Sequence, residues 1–485
     1  MSEPFDAIVI GAGPSGLAAS AYLAQAGARV LVLEAGAQTG GSAANTLPLG
    51  GIAVPAGAHA HCALDPRVVK DLRLTGRGLK FAVRDMARIA LRGDGNPLPL
   101  ARDTHAAERA IASLSTNDAA RFGEFRHDLF KLGRAFRAIW WDEGALHDAA
   151  RQGELRRLSV TAAASFLDAA FEAEALKAAY AFDAMEGGLS PGDAGSSLLF
   201  AWRAAQEMCG LQGAVAVPRG GPAALVASLS AAAVAAGVEI RTNAPVSRLS
   251  ISGGAIVGVF AGDEEIPART VLSSLSRRWT LLTLAPTGAA GFATSSRLLR
   301  QTKQVGEAKL VLALNAVPAF AVANPSGRFV IAERLESCIA AHAEARAGRL
   351  PSELALEAVV PTAFDPSLAS GYNFLSVLVR PVPVSPPEGW QALAPLLGEK
   401  VLAILERFSP GLRASVLAQA FAAPVVDGDP LDAAHMTAGW RTRIATPIAG
   451  LFLCGKAAEP VPALSCRAAR LAAAMASAHL KENTP

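Results

Sequence analysis

The chain has 485 residues, enough for two or more connected domains with a large core, and 51% of the residues are hydrophobic. The formal net charge is only +3, and no basic block or basic-aromatic interleaving occurs, so a nucleic-acid partner is not expected. No apolar run reaches the ~18–20 residues that a membrane-spanning helix requires, so integral membrane insertion is not expected either.

The N-terminal residues lack the basic and apolar regions of a secretion signal, because a strand pattern begins almost at once. The five cysteines are scattered and form no Cys-x-x-Cys pair, which argues against a disulfide framework and a zinc site. We therefore expect a cytoplasmic protein with reduced thiols and no bound metal. These cysteines are Cys62, Cys209, Cys338, Cys454 and Cys466.

Residues 6–34 carry the pattern of a strand, a glycine turn, a helix of small residues and a second strand. The turn reads Gly11-Ala-Gly-Pro-Ser-Gly16. Gly11 permits the tight turn out of the strand, Gly13 lets backbone N–H groups approach a pyrophosphate, and Gly16 lets the helix pack closely on the strand. The segment is predicted to bind an adenine dinucleotide, with an ordinary strand-helix turn as the alternative.

Glu34 ends the second strand, where its carboxylate can accept hydrogen bonds from ribose hydroxyls and would repel a 2′-phosphate. This favours FAD or NAD over NADP. The pair Gly40-Gly41 just beyond is typical of FAD proteins of the glutathione-reductase-like class, in which it brings more backbone toward the diphosphate. We therefore predict FAD as the cofactor.

The elements that follow are predicted from periodicity and turn residues. Residues 103–205 are rich in helical patterns, including residues 163–181, and contain Trp140 and Trp141, for which core packing, a pocket wall or a membrane-touching rim are all open. Residues 223–236 indicate a helix, and glycine turns within residues 251–266 indicate an antiparallel meander. Alternation predicts strands of one sheet at residues 309–315 and 373–380, and the chain ends with a strand at 450–455 and a helix at 463–480.

Nucleotide-binding signals occur at the start, middle and end of the chain, so its domains are interleaved rather than serial. We predict an α/β fold, in which a Rossmann-like FAD-binding domain of the glutathione-reductase-like class is interleaved with an α+β substrate domain. The expected division is a first FAD-binding segment at 1–75, a helix-rich insertion at 76–214, a second FAD-binding segment at 215–290, the substrate sheet at 291–427 and a C-terminal FAD-binding segment at 428–485.

Together these motifs resemble the phytoene dehydrogenase-related flavoproteins over nearly the whole chain, with most likeness to the branch called pyridine nucleotide-disulfide oxidoreductase domain-containing protein 2. The resemblance implies a bound FAD, a substrate domain formed by two insertions, and redox or isomerisation chemistry on apolar molecules, often polyenes. It leaves peripheral membrane contact open, because such substrates often reside in lipid. Besides the glycine turn, Glu34 and Gly40-Gly41, its marks are residues 64–74, Arg102-Asp103, Pro218-Arg-Gly-Gly221, residues 237–243, Val246 and residues 450–455.

The resemblance also implies roles for single residues. Glu34 would hold the adenosine ribose, Val246 would offer backbone groups to the adenine, and Gly455 would end the strand beneath the flavin. The turn at 218–221 would lie beside the substrate domain, with a plain helix-opening turn as the alternative. The predicted cofactor-binding residues are Gly11, Gly13, Pro14, Ser15, Gly16, Glu34, Ala35, Gly40, Gly41, Ser42, Val246, Gly455, Lys456 and Arg467.

The C-terminal loop departs from this family. Relatives carry a run of glycines after the last strand, whereas residues 459–469 here read Glu-Pro-Val-Pro-Ala-Leu-Ser-Cys-Arg-Ala-Ala. Val461 and Pro462 add β-carbon bulk, and Pro462 also removes an N–H donor. Three outcomes are open: the flavin shifts, the loop takes another path, or FAD binds weakly or not at all.

No residue is identified as catalytic, and the candidates each have an alternative. His59 and His61 are acid–base candidates or a covalent flavin tether, against ordinary loop histidines. Lys456 could stabilise an anionic reduced flavin, against a solvated or Glu459-paired lysine. Arg467 could contact the diphosphate or a substrate carboxylate, against a surface position.

The absence of a second GxGxxG and of Cys-x-x-Cys disfavours pyridine-nucleotide-dependent disulfide reductases. We predict an FAD-dependent oxidoreductase that dehydrogenates a C–C bond of an apolar or amphipathic small molecule, with an electron acceptor and an oligomeric state that no motif specifies. Two alternatives stay open: a non-catalytic carrier or scaffold that has lost the flavin-facing loop, and a redox-neutral flavin-dependent isomerase.

Overall fold

The computed structural model describes residues 4–44, 46–49, 51–57, 63–141, 149–322, 325–369, 371–425, 429–461 and 463–483. The predictions for His59, His61, Cys62 and Pro462 therefore lie outside the described residues. The strands are β1 Phe5–Ile10, β2 Val30–Leu33, β3 Thr46–Leu49, β4 Ile52–Pro55, β5 Phe81–Val83, β6 Arg88–Ala90, β7 Leu98–Leu100, β8 Glu207–Met208, β9 Leu211–Gln212, β10 Val217–Pro218, β11 Glu239–Arg241, β12 Val246–Ser252, β13 Ala255–Ala261, β14 Glu264–Ser273, β15 Val305–Leu314, β16 Arg328–Ile331, β17 Ala355–Val359, β18 Asn373–Pro383, β19 Val416–Ala422 and β20 Leu451–Leu453.

The helices connect and cover these strands, and none in the described portion of the chain is both long and apolar enough to cross a membrane. They are α1 Pro14–Gln25, α2 Pro66–Asp71, α3 Thr104–Ala112, α4 Thr116–Trp141, α5 Ala149–Val160, α6 Ala163–Ala170, α7 Glu174–Ala181, α8 Leu198–Ala205, α9 Pro222–Ala235, α10 Phe292–Arg300, α11 Leu335–Arg346, α12 Pro361–Phe364, α13 Trp390–Phe408, α14 Leu412–Ser415, α15 Ala433–Thr437, α16 Trp440–Ile444 and α17 Arg467–Glu482.

The first sheet has a parallel core, in the order β11-β2-β1-β14 with β20 on the other side of β14. Strands β12, β13 and β14 add the predicted antiparallel meander. Side chains of β1 alternate between two cores: Ala7 and Val9 face α1, α9 and α17, while Ile8 and Ile10 face the meander side. The carboxyl ends of β1, β2, β14 and β20 consequently meet at one edge, where open α/β sheets bind ligands.

The second sheet runs in the order β19-β15-β18-β17-β16-β6-β7 and is antiparallel except where β16 pairs with β6. Strands β6 and β7 come from the chain before the meander and β15–β19 from the chain after it. Helices α6, α7, α8 and α11 cover one face, and α13 covers the other. The predicted interleaving of a Rossmann-like domain with a second α+β unit is therefore confirmed. Residues 309–315 and 373–380 are strands of one sheet, as predicted, and they pair directly as β15 and β18.

One predicted helix is interrupted. The pattern over residues 163–181 forms two helices, α6 and α7, because the chain is extended at Phe171, with φ −136° and ψ 153°. The buried carboxylate of Asp118 accepts the N–H groups of Glu172 at 2.9 Å and Ala173 at 2.8 Å. These two bonds replace the helical ones, so a side chain 54 residues away in sequence decides the break.

Candidate dinucleotide and redox site

The glycine turn after β1 leaves no room for side chains. Gly11 has φ +90°, and a β-carbon there would overlap the hydroxyl of Ser274. A β-carbon on Gly16 would overlap the carbonyl oxygen of Gly11, so the first turn of α1 rests directly on the end of the strand. The two steric roles predicted for these glycines are thus visible in the packing.

Helix α1 presents free backbone donors at this turn. Gly13 is the N-cap residue and Pro14 occupies the first turn, and no side chain caps the helix. The first helical bond is the one from Leu17 N–H to the Gly13 carbonyl, at 2.9 Å. The N–H groups of Ser15 and Gly16 therefore have no acceptor among the described residues, and the positive end of the helix dipole lies with them. Such an end suits a phosphate.

Glu34 lies at the carboxyl end of β2 beside the same turn. Its Oε2 accepts the N–H of Ala12 at 2.7 Å, and its Oε1 accepts the N–H of Gly36 at 2.8 Å. Each carboxylate oxygen keeps further lone-pair capacity after one such bond. Ala35 follows as an exposed residue. The side chain is thus held rigidly while it can still accept a hydroxyl hydrogen bond.

Gly40 and Gly41 return the chain to the turn. The N–H of Gly40 donates to the Ala12 carbonyl at 2.7 Å, and both glycines have positive φ, +119° and +49°. A β-carbon on Gly41 would lie only 3.3 Å from the Cα of Gly13. Ser42 follows and is exposed. The two glycine segments therefore form one backbone cradle that a side chain would fill.

Val246 and Gly455 reach this edge from distant regions of the chain. Val246 begins β12, two residues after Ala244, whose N–H bonds to the Glu34 carbonyl at 2.9 Å. Gly455 follows β20, and a β-carbon there would overlap the Ser274 carbonyl oxygen. Ser274 thus separates the first glycine turn from the last one, a contact that no motif in the sequence indicated.

The loop after Gly455 is held by its own polar groups. Glu459 is 4% exposed, and its Oε1 accepts the hydroxyl of Ser465 and, at 2.7 Å, the N–H of Ala468. The hydroxyl of Ser465 also accepts the N–H of Arg467 at 2.9 Å. These bonds cap α17, which begins at Arg467 rather than at the predicted Ala463.

Arg467 is buried, so the surface position considered for it is wrong. Its side chain is 3% exposed, its Nε donates to Oδ2 of Asp65 at 2.9 Å, and its guanidinium lies 3.6 Å from the ring centroid of Trp141. Burial would raise the pKa of Asp65, but the charge of Arg467 and the N–H of Arg67 outweigh it and lower that pKa. A contact of Arg467 with diphosphate or substrate stays a prediction.

Lys456 is exposed at the single turn after Gly455. The suggested pairing with Glu459 is not found, because the Glu459 carboxylate is occupied by Ser465 and Ala468. Lys456 instead lies near Glu307 of β15. Burial would raise the pKa of Glu307, but the nearby positive charges lower it. Arg380 contributes most to this decrease, and Lys303 and Lys456 contribute further. A cation after the last strand therefore faces the second sheet.

Lys309 is a candidate residue that no sequence pattern indicated. It lies on β15, is 6% exposed, and its Nζ donates to the carbonyl oxygens of Pro55, at 2.7 Å, and Gly57. Burial lowers its pKa to about 7. An alternating strand pattern predicts a solvent-facing lysine, whereas the Lys309 side chain is buried and bonds to the end of β4 and to Gly57.

The structure also gives an outcome for three further residues that the sequence singled out. Trp140 is fully buried and donates through Nε1 to the Met436 carbonyl at 2.7 Å, and Cys454 is fully buried with its pKa raised by burial to about 12, so the core interpretation of both is confirmed. Gly221 precedes α9 as its N-cap residue, which agrees with a helix-opening turn. Within the described residues, no group of three or more His, Cys, Asp or Glu side chains is placed to share a metal ion.

Comparison with known proteins agrees with this architecture. Residues 9–73 match the model of the NAD(P)-binding Rossmann-like domain. The chain is 28% identical to the mouse (Mus musculus) pyridine nucleotide-disulfide oxidoreductase domain-containing protein 2, over 99% of this chain and 94% of that protein. It is 29% identical to the phytoene dehydrogenase of Streptomyces griseus, over 88% of this chain and 85% of that protein.

A solved structure gives the same result for the fold. An oxidoreductase from Methanosarcina mazei superposes with a TM-score of 0.68 at 19% identity, covering 97% of this chain and 99% of that one. The resemblance to phytoene dehydrogenase-related flavoproteins is therefore confirmed: proteins of that kind are homologues of this chain, and these relatives are oxidoreductases by name.

Proposed function

We propose that the protein is an FAD-dependent oxidoreductase that dehydrogenates a C–C bond of an apolar or amphipathic small molecule. One observation carries the proposal: the uncapped N–H groups of Ser15 and Gly16 lie at a backbone cradle formed by Gly13 and Gly41. A diphosphate needs free donors and a backbone without β-carbons, and this edge of the sheet offers both. The homology to a phytoene dehydrogenase supports the reaction class.

In this proposal, different residues bind different parts of the cofactor. Ser15 and Gly16 hold the diphosphate through their N–H groups, and Glu34 accepts the ribose hydroxyls with the lone pairs left after its bonds to Ala12 and Gly36. Val246 would offer backbone groups to the adenine, and Gly455, which has no side chain, would let the chain pass beneath the flavin ring. When bound, FAD supplies the hydride acceptor at N5.

Lys309 provides a proton acceptor. Removing two hydrogens from neighbouring carbons as a hydride and a proton requires a base for the proton, and an amine with a pKa of about 7 is partly neutral at physiological pH. The carbonyl oxygens of Pro55 and Gly57 hold the Nζ atom in place. Burial therefore gives this lysine a basicity suited to accepting and returning a proton near pH 7.

A non-catalytic carrier is the second candidate. The loop from Glu459 to Ser465 has a buried Val461 where relatives carry glycines, and its polar atoms are used to cap α17. A loop tied down in this way can retain the ADP half of the cofactor site without the flavin half. The two candidates differ in whether a reducible flavin is present.

The discriminating experiment is denaturing release of bound small molecules from the purified protein, followed by their identification by mass and absorbance. We expect about one FAD per chain, with visible absorbance that bleaches when a reductant is added under anaerobic conditions. Protein that carries no flavin and takes up none from added FAD would exclude the oxidoreductase and favour the carrier.

A further inference from the structure

A cavity lies between the helix-rich insertion and the second sheet. It has a volume of about 130 Å³ and is bounded by α4, α7 and α8 on one side and by β6 and the start of β16 on the other. The charged side chains in its wall are unusual for so small a space, because guanidinium groups outnumber carboxylates by five to two. The five are Arg88, Arg102, Arg126, Arg203 and Arg328.

Both carboxylates of the wall already form ion pairs with arginines of the wall. Asp183 pairs with Arg88 and lies 3.9 Å from Arg328, and Asp85 pairs with Arg102. Burial would raise the pKa of Asp183, but Arg88 first, then Arg203 and Arg328, hold it far below its usual range. Asp183 is thus fully ionised, and its charge is shared among several arginines rather than neutralising each of them.

Three hydrogen-bond donors in the wall remain available. Arg126 donates to the carbonyl oxygens of Ala101, at 2.9 Å, and Arg102, and forms no ion pair with a carboxylate among the described residues. The Nε of Arg328 is buried without an acceptor in the described chain, and the residue is only 5% exposed. The hydroxyl of Tyr180 makes no hydrogen bond with any described residue. The Nε of Arg328 is fully buried, and an unused buried donor is costly unless something accepts its hydrogen bond, whereas Arg126 and Tyr180 are partly exposed.

The rest of the wall is apolar and aromatic. Phe122, Phe130 and Phe200 line it together with leucines, and the guanidinium of Arg88 lies 4.9 Å from the ring centroid of Tyr180. The volume is close to the roughly 150 Å³ of a protein cavity that holds one benzene molecule. A ligand that fits would combine a small ring or branched apolar group with an anionic end.

We propose that this cavity binds a small apolar carboxylic acid, with the carboxylate held by Arg126 and the Tyr180 hydroxyl and the apolar group against the phenylalanines. A carboxylate matches the planar fork of a guanidinium and accepts a phenolic hydrogen bond at the same time. The site does not depend on the proposed flavin, because none of its residues belongs to the first sheet or its glycine turns.

The test uses benzoate as the probe and benzamide as its neutral counterpart of the same shape, with binding to the purified full-length chain measured by calorimetry. We expect one benzoate site and at least tenfold weaker binding of benzamide. Arg126→Gln should weaken benzoate at least tenfold, and Tyr180→Phe, which removes a single oxygen, should weaken it severalfold. Arg121→Gln is the matched control, because Arg121 is exposed on the same helix as Arg126. This variant also removes one positive charge.

The outcomes are decisive in both directions. Benzoate affinity that falls in Arg126→Gln and Tyr180→Phe but not in Arg121→Gln supports the site. The absence of benzoate binding, or equal affinity in all four proteins, overturns it. Tyr180→Phe keeps the test interpretable if Arg126→Gln fails to fold, because that tyrosine hydroxyl has no partner among the described residues to lose.

Discussion

Asp65 and Arg467 are 402 residues apart in the chain, yet their side chains form a buried ion pair at 2.9 Å. The backbone supports the same contact, since the N–H of Asp65 donates to the Ser465 carbonyl at 2.9 Å. Asp65 precedes α2 and caps it through Arg67 N–H, at 2.8 Å, while Arg467 opens α17. The pair therefore joins the last helix to the N-terminal Rossmann-like segment.

Breaking this pair should be costly. Arg467→Met would leave the Asp65 carboxylate buried without its cation, and removing one partner of a buried pair typically costs about 3–5 kcal/mol. We expect a clearly lower urea midpoint, partly restored in the double variant Asp65→Asn/Arg467→Met. Arg413→Met serves as the control, because Arg413 pairs with Glu399 on the surface, with exposed fractions of 46% and 64%. Equal midpoints for Arg467→Met and Arg413→Met would contradict the prediction.

Gly41 should be required for tight binding of FAD. Gly41→Ala places a β-carbon 3.3 Å from Gly13 Cα and leaves the left-handed backbone strained, so we expect at least tenfold less FAD retained after purification. Gly254→Ala is the matched control, because Gly254 also has positive φ, +80°, but open space around its Cα. FAD content is measured by absorbance after denaturation. Loss of FAD in both variants would indicate general strain rather than a blocked cradle.

The low pKa of Lys309 predicts that the stability of the protein depends on pH. Its pKa is about 7 in the folded protein against 10.5 normally, so between these values the unfolded chain binds the extra proton and stability rises with pH. The full cost of the buried charge is present below pH 7. Lys309→Met removes that cost, and we expect its stability gain over wild type to be roughly 3 kcal/mol larger at pH 6 than at pH 9. A gain independent of pH would show that Lys309 is not shifted.

The same substitution bears on the reaction. If neutral Lys309 accepts the substrate proton, kcat/KM should rise as pH increases through about 7, and Lys309→Met should lose this rise together with most of the activity. Lys309→Arg keeps the charge but cannot deprotonate in this range, so it should behave like Lys309→Met. The measurement is a pH profile of the three proteins. A retained rise near pH 7 in Lys309→Met would assign it to another group.

Removal of the Glu459 carboxylate should lower thermal stability more than removal of a less buried helix cap of similar geometry. Glu459→Ala removes the acceptor of Ser465 and Ala468 in a buried place, and a lost buried cap costs about 1–2 kcal/mol. Glu406→Ala is the comparison, because Glu406 also accepts two N–H groups, those of Gly411 and Arg413 at 2.7 Å, but is less buried than Glu459. Thermal unfolding followed by circular dichroism should show a larger decrease for Glu459→Ala. The reverse order would mean that the loop is not fixed by Glu459.

Local sequence was sufficient to predict the strand-turn-helix-strand unit that begins the first sheet. Residues 6–34 are contiguous in the chain, and each step of strand, turn, helix and acid is encoded by neighbours whose steric needs are known. The steric roles of Gly11 and Gly16 could be assigned because glycine is needed where another part of the chain passes closely. The interleaved fold followed from the positions of the nucleotide-binding motifs along the chain.

Contacts between distant segments decided the properties that no local pattern encodes. Arg467 could be placed on the surface from sequence, but Asp65 and Trp141 bury it. Lys309 looks ordinary on an alternating strand, and its pKa is low because the folded chain buries its ammonium group. The arginine cavity likewise gathers side chains from separate segments. Burial and charge depend on contacts across the fold, and a linear pattern does not record them.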